Sequence, residues 1–386
     1  MNRRTLAMVM LLPLLLTQAG CWDMKSIQDM NYLTALGVDY KDGHFVVYAQ
    51  MLDFANVAKQ EGPKTTAPSS VWTGQVEGET VGEAFDELYK TSQQRVFWGH
   101  VTSIVFSESA LKRGIGAGLD GLLRYNETRY TQWVYGTRVP IDQIFGTTPF
   151  FGMSPLASIL SQPIENYRQR SYIRPMKLYK FFVELREPGF TMLLPSLTID
   201  KEVWKKDKRP DPKLSVDGVF ALYDGKMTDW LEYDKLDGLR WLEDSTVRTP
   251  IILYMEGKPV GKISIVRPKS RIIPKAQNDK VRVSIQIECK AIVAEMLQNI
   301  DEATLKKEIA KVIRSQIEHT FAEGKKDAVD VYQVEHTLYR DHFRAWSRLT
   351  MNNSKRLQDY TLDSVEVAVD LAHTGMYKLR DIIHEY

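Results

Sequence analysis

The chain has 386 residues, 44% of them hydrophobic and 26% charged, a globular mix long enough for two or three domains with ample core. Basic and acidic side chains number 51 and 49, for a formal net charge of +2. That near-balance disfavours nucleic acid as a main partner, because phosphate binding draws on a basic excess.

The first stretch is patterned for export. Arg3 and Arg4 precede an unbroken apolar run from Leu6 to Leu16, and Thr17-Gln18-Ala19-Gly20 leads to Cys21. A charged start, an apolar middle and small residues before a cut are the parts of a secretory signal peptide. As a helix the run reaches only about 16 Å, short of the bilayer core of about 30 Å, and Pro13 also argues against a permanent span. A thiol directly after Ala-Gly resembles the lipobox of bacterial lipoproteins, although Gln18 stands where a lipobox usually has Leu. The resemblance implies that residues 1–20 are removed and that Cys21 carries a diacylglycerol. Two acyl chains hold a protein at a surface where one gives only marginal anchoring. The bland alternative is an ordinary secreted protein with a chance cysteine. Without the leader the charges balance, 49 against 49. With Cys21 lipidated, Cys289 is the only remaining thiol and no intramolecular disulfide can form. No other apolar run approaches spanning length.

After the leader, residues 31–52 read as a hairpin turned at Lys41-Asp42-Gly43. Residues 55–70 are rich in Gly, Pro and Ser and read as a loop, with a strand at 71–77. Thr80 and Glu83 form a capping box, and Val81, Ala84, Phe85 and Leu88 recur at helical spacing behind it. A buried strand at 101–106, a short helix at 108–113 ended by Gly114, a helix near 118–125 and a strand at 131–137 follow. Residues 138–175 carry five prolines, with one helix expected over 156–160. A helix at 176–187 presents Leu178, Phe181, Phe182 and Leu185 on one face, and a strand covers 191–199. Alternating strands and helices imply a mixed α/β layer structure over residues 21–200. Residues 201–213, KEVWKKDKRPDPK, hold six basic and three acidic residues and two prolines. They read as a surface linker, taken as 201–215.

Residues 216–231 read as a second hairpin, turned at Asp224-Gly225, within a small middle region over 216–260 whose remainder is ambiguous. In 281–293, apolar Val281, Val283, Ile285, Ile287, Cys289, Ala291 and Val293 alternate with polar residues, which predicts a long half-buried strand. An amphipathic helix runs from Glu302 to Glu323, stopped by Gly324, and a second covers about 333–348. Val365, Val367, Val369 and Leu371 mark the last strand. Residues 261–386 thus predict an antiparallel sheet covered by two long helices, and the chain as a whole a multi-domain α+β protein with mixed sheets covered by helices.

Motifs for catalysis or metal binding are missing from the sequence. Of seven histidines none lies in HExxH, there is no CxxC, and His336 and His342 are spaced off one helical face. Gly114, Gly116 and Gly118 lack the lysine and preceding strand of a phosphate cradle, and no GxSxG elbow is present. The predicted site list is therefore Cys21 for lipidation, with no catalytic residue, no metal ligand and no cofactor. Cys289, on the apolar face of a strand, reads as an inert thiol. Trp22, beside the anchor, fits either a membrane interface or packing on the first domain. TTPFFGMSPL, 147–156, fits either an exposed contact loop or a core plug.

Gly20-Cys21-Trp22-Asp23, followed by LTALGVDYKDGHFVVYAQM, is similar to the start of the Ger(x)C family of spore germination lipoproteins. RVFWGHVTSIVFSESALKRGI at 95–115 resembles that family's strand–helix block, and GVFALYDGKMTDWL at 218–231 its mid-chain hairpin. Residues 268–295, the Ile- and Lys-rich helix, Asp330, Trp346 and the strand from Val365 to Gly375 resemble its C-terminal domain. The resemblance covers nearly the whole mature chain and departs from the family at Gln18 and at Lys25-Ser26. It implies the non-catalytic C subunit of a nutrient germinant receptor. Such a subunit is tethered through Cys21 to the bilayer at the outer face of the spore inner membrane, beside integral membrane A and B subunits. The runner-up is a solute-binding lipoprotein presenting a small molecule to a transporter, which would need a pocket with convergent polar groups.

Overall fold

The computed structural model describes residues 30–52, 70–116, 129–277, 280–351 and 354–372. β1 (Met30–Lys41) and β2 (His44–Leu52) form the expected hairpin, in register Lys41 to His44, with Asp42 and Gly43 both at positive φ as a two-residue turn requires. β3 (Val71–Gly78) adds antiparallel to β2. At the start of α1 (Val81–Tyr89), Thr80 Oγ1 accepts from the Glu83 N–H at 3.1 Å. The Glu83 carboxylate reaches back to the N–H of Glu79 at 2.8 Å, one residue beyond the usual capping box. β4 (Arg95–Phe97) and β5 (Ser103–Ser107) run parallel to β1. α2 (Glu108–Arg113), capped by Ser107 and closed by Gly114, follows at once. β6 (Trp133–Thr137) is parallel to β5. The helix expected near 118–125 lies outside the described residues, as does all but Ser70 of the loop expected over 55–70.

The proline-rich 138–175 stretch holds more structure than its composition implies. α3 (Ile141–Gly146) buries Ile141, Ile144 and Phe145. Two 3-10 turns, Phe150–Gly152 and Pro155–Ala157, stand around the position of the expected 156–160 helix, and α4 (Pro163–Gln169) starts on its own proline. β7 (Met176–Lys177), α5 (Leu178–Arg186) and β8 (Met192–Asp200) follow, β8 parallel to β6.

The expected linker contains a short ribbon, β9 (Lys205–Lys206) with β10 (Arg209–Pro210). β11 (Lys213–Tyr223) then runs back antiparallel along β8, from Lys213 against Asp200 to Leu222 against Met192, and β12 (Lys226–Glu232) forms the edge. The result is a ten-stranded sheet in the order β12-β11-β8-β6-β5-β1-β2-β3, with β4 and β7 as side branches. Its central strands are buried on both faces, so they read as near-continuous apolar runs. In β5, Ile104 and Phe106 enter one core with α1, α2 and α5, while Val105 enters a second core with α3.

A 3-10 turn at Tyr233–Leu236 and α6 (Leu239–Leu242) lead to the second sheet. Three of its strands are antiparallel neighbours: β13 (Arg248–Met255), β14 (Lys258–Gln277) and β15 (Lys280–Met296). α7 (Glu302–Lys326) is capped by Asp301, which accepts from the Thr304 N–H at 2.9 Å, and buries Leu305, Ile309, Ile313, Ile317 and Phe321 along one stripe. It continues past Gly324. A Cβ there would sit 2.8 Å from the Val329 carbonyl, so this glycine serves a close backbone approach and not a helix stop. The second expected helix is broken at His342 (φ −138°, ψ 53°) into α8 (Val334–Asp341) and α9 (Phe343–Leu349). The break sets Trp346 against Tyr339, ring centroids 4.8 Å apart. β16 (Tyr360–Ala372) pairs with β15 in parallel, because the helical segment between them carries the chain back to its starting end.

The two halves share one hairpin. Phe220 and Leu222 of β11 belong to a core of the large sheet, whereas Val219 and Ala221 of the same strand, with Leu231 of β12, belong to the core of the small sheet.

Candidate functional site

Cys21, the residue predicted to carry lipid, lies outside the described residues, together with Trp22 and Asp23. Cys289 is where the strand alternation places it, buried in β15, and burial pushes its thiol up to about 12. Among the described residues no group of three or more His, Cys, Asp or Glu is placed to hold a metal ion, and no helix is long and apolar enough to cross a membrane.

A buried polar network lies where the halves meet. Glu335, in the first turn of α8, is 2% exposed. Its Oε1 accepts from the Tyr223 hydroxyl at 3.0 Å and from Trp346 Nε1 at 3.3 Å, and its Oε2 accepts from the Leu357 N–H at 3.0 Å. Its own N–H is held by Asp330 Oδ2 at 2.8 Å. The second Asp330 oxygen has no hydrogen-bond partner, and burial raises this carboxyl to about 6 against the pull of the Glu335 and Val334 amides. Arg356 supplies nearby positive charge, 4.2 Å from the Tyr223 ring centre. Two neighbours of Glu335 grip the other half: Gln333 Oε1 accepts from the Thr191 N–H at 2.9 Å, and His336 Nδ1 lies 3.1 Å from the Pro188 carbonyl. Between those anchors Gly189, at φ +67°, lets the chain pass so close that a Cβ would lie 2.9 Å from Glu335 Cγ.

Beside this network is a cleft of about 400 Å³ with walls from both halves, among them Tyr172, Phe190, Leu193, Val219, Leu242 and Tyr332. Arg174 bridges it: Nη2 is 2.7 Å from Glu184 Oε1 on α5, and Nε is 3.3 Å from Glu243 Oε2 after α6. Burial raises the Glu184 carboxyl although Arg174 pulls it down. Desolvation likewise disfavours the charged Arg174, but Glu243 and Glu184 outweigh it and hold the guanidinium raised. Glu184 Oε2 is buried without a hydrogen-bond partner. The volume and the Arg174, Glu184 and Glu243 charges on its wall give the cleft room for a small polar molecule.

None of this was predicted from the sequence. The α5 stripe Leu178, Phe181, Phe182, Leu185 hides Glu184, which is buried next to it. Nothing in the spacing of Tyr223, Asp330, Glu335 and Leu357 announces that they converge. Asp330 and Trp346 were singled out only through the family resemblance, and both belong to the network.

The fold and this junction define a two-sheet α+β body joined through buried carboxylates. The family model described as spore germination protein N-terminal domain matches residues 23–199, and the model described as spore germination B3/GerAC-like, C-terminal, matches residues 217–375. The chain belongs to the Ger(x)C family of spore germination proteins. Among curated relatives, spore germination protein KC of Bacillus subtilis (strain 168) is 24% identical over 376 residues, 90% of each chain. Spore germination protein B3 of the same organism is 20% identical over 339 residues, 86% of each chain. The crystal structure of the GerBC protein superposes with a TM-score of 0.55 at 13% identity, covering 90% of this chain and 99% of that one, and so shares the fold.

Proposed function

We propose that the chain is the lipid-anchored C subunit of a nutrient germinant receptor, acting by assembly at the membrane and not by catalysis. The observation that carries this is the pair of family matches, which together span 23–199 and 217–375 and begin two residues after the predicted lipidation site. In this role Cys21 bears the lipid, the body stands at the outer face of the spore inner membrane, and its partners are the integral membrane A and B subunits. Confinement to a surface raises the effective concentration of the subunit near those partners. The test is a Cys21→Ala chain expressed in place of the natural one. Loss from the membrane fraction, with loss of nutrient-triggered germination, is the expected outcome. Retention in the membrane with normal germination would remove the tether from the account.

A second reading, a small-molecule site, is favoured by the cleft of about 400 Å³ with Arg174, Glu184 and Glu243 on its wall. A thermal-shift screen against amino acids and sugars addresses it, and Glu184→Gln should abolish any shift that arises there.

A further inference from the structure

Two stretches that stand fifty residues apart in the sequence, and that neither core nor junction absorbs, meet on one surface. The 3-10 turn of 150–152 brings Phe150 against Trp204 of the basic segment, ring centroids 4.8 Å apart. Phe151 beside it is 96% exposed, Val203 68%, Trp204 52% and Met153 44%. Asp200 Oδ1 accepts from the Glu202 and Val203 amides at 3.0 and 2.9 Å, fixing the turn that presents Val203 and Trp204. The Trp204 carbonyl accepts from the Asp211 N–H at 2.8 Å, closing the ribbon.

Phe150 packs in this arrangement, but the Phe151 ring does not. Phe151 is held in the left-handed region at φ 57°, which a bulky residue adopts only at a cost. The strain points an aromatic ring into water. The segment that carries Trp204 also carries Lys201, Lys205, Lys206, Lys208 and Arg209, all exposed, and Lys213, whose ammonium sits 4.8 Å from the Phe150 ring centre. Across 201–213 six cations face three acids, and one of those acids, Asp211, is taken up by Lys213 at 2.6 Å. Solvent-facing aromatic side chains on a segment rich in exposed lysine and arginine match the headgroup region of an anionic bilayer. There Trp and Phe rings settle at the interface and basic residues meet lipid phosphates.

We infer that this patch, Phe150, Phe151, Met153, Val203 and Trp204 with the basic segment that carries Trp204, is a second, non-covalent membrane contact that seats the body on an anionic phospholipid surface. The patch does not depend on whether Cys21 carries lipid. Each basic residue near such a surface strengthens binding about fivefold, so the net excess of three favours anionic over zwitterionic lipid by roughly a hundredfold.

Hydrogen exchange of the full chain, read segment by segment, tests this with vesicles of phosphatidylcholine containing phosphatidylglycerol. Exchange over 149–154 and 201–210 should slow severalfold with these vesicles and much less with pure phosphatidylcholine, and the slowing should vanish at high salt. Phe151→Ser with Trp204→Ser, its exchange first compared with the parent in the absence of vesicles, should abolish the slowing even where the chain stays vesicle-bound through its amino terminus. Unchanged exchange in these segments on bound chain would overturn the inference, as would slowing that survives the double substitution. Slowing that appears only when membrane protein subunits are added, and not with lipid alone, would also overturn it and identify a protein-docking surface instead.

Discussion

Replacing Glu335 by alanine removes one buried carboxylate and strands three donors. The Tyr223 hydroxyl, the Trp346 indole N–H and the Leu357 amide all end on it, at 3.0, 3.3 and 3.0 Å. Hydrogen bonds to a charged acceptor contribute about 1.5–3 kcal/mol each, and a buried donor left unmade costs about 1–3 kcal/mol. The Leu357 amide and the Trp346 indole make buried bonds, and the tyrosine is part-buried. Discounting the last and allowing for non-additivity within one network, the loss is about 3–5 kcal/mol. Urea unfolding at pH 7.5 measures the total, and exchange at the Leu357 amide locates it. That amide should lose protection while the amides of β5 keep theirs. The conservative Tyr223→Phe change should cost only about 1–2 kcal/mol and should be nearly silent in the Glu335→Ala background, because its acceptor has gone. A Glu335→Ala protein within 1 kcal/mol of the parent, or one in which Tyr223→Phe keeps its full effect, would refute the account of the junction.

Asp330 sets a pH dependence. Its carboxyl is raised from 3.8 to about 6 in the folded state, so its contribution is fully present below about 4 and is lost as pH rises through about 6, an amplitude of roughly 3 kcal/mol. Asp330→Asn should flatten that slope in urea midpoints taken between pH 4 and 8. Arg174→Met leaves the buried Glu184 with only Lys180, 3.8 Å away, and the half-buried Glu243 without its cation, and should cost about 2–4 kcal/mol at pH 8. The loss should shrink on acidification as Glu184 takes up a proton, which a pH series of thermal melts would register. Gly324→Ala would stabilise an ordinary helix interior by about 1 kcal/mol. Here the new methyl meets the Val329 carbonyl, and a destabilisation of about 1–3 kcal/mol is expected in chemical denaturation. The Cys289 thiol, raised to about 12, should stay unreactive to a thiol reagent until denaturant is added.

Local chemistry in the sequence was enough to place many of the elements. The Asp42-Gly43 and Asp224-Gly225 turns, the Thr80 cap and the strict alternation of 281–291 each act within a few residues, and each appears where it was expected. The hairpin of β13 and β14 was not legible. Ile251, Ile252, Leu253 and Tyr254 are apolar on both faces, with Ile252 and Tyr254 exposed, so no period of two is visible, and the turn is Glu256-Gly257. α3 is too short for a helical period. Gly324 was read by the usual rule for helix ends, which a tertiary contact overrides. The junction is the deepest omission. Tyr223, Asp330, Glu335 and Leu357 carry no common motif, and their convergence follows from β11 running back along β8 while α8 closes over it. Partnership across more than a hundred residues, as between Tyr223 and Glu335, is decided by topology.

β11 has a mechanical consequence. Its successive side chains are rooted in different cores, so prising the halves apart would drag Val219 and Ala221, or Phe220 and Leu222, into solvent along with Leu231. At about 1.5–3 kcal/mol for each large apolar side chain, such a separation would consume much of the stability a protein of this kind possesses. The two halves are therefore expected to move together and not to hinge apart across β11.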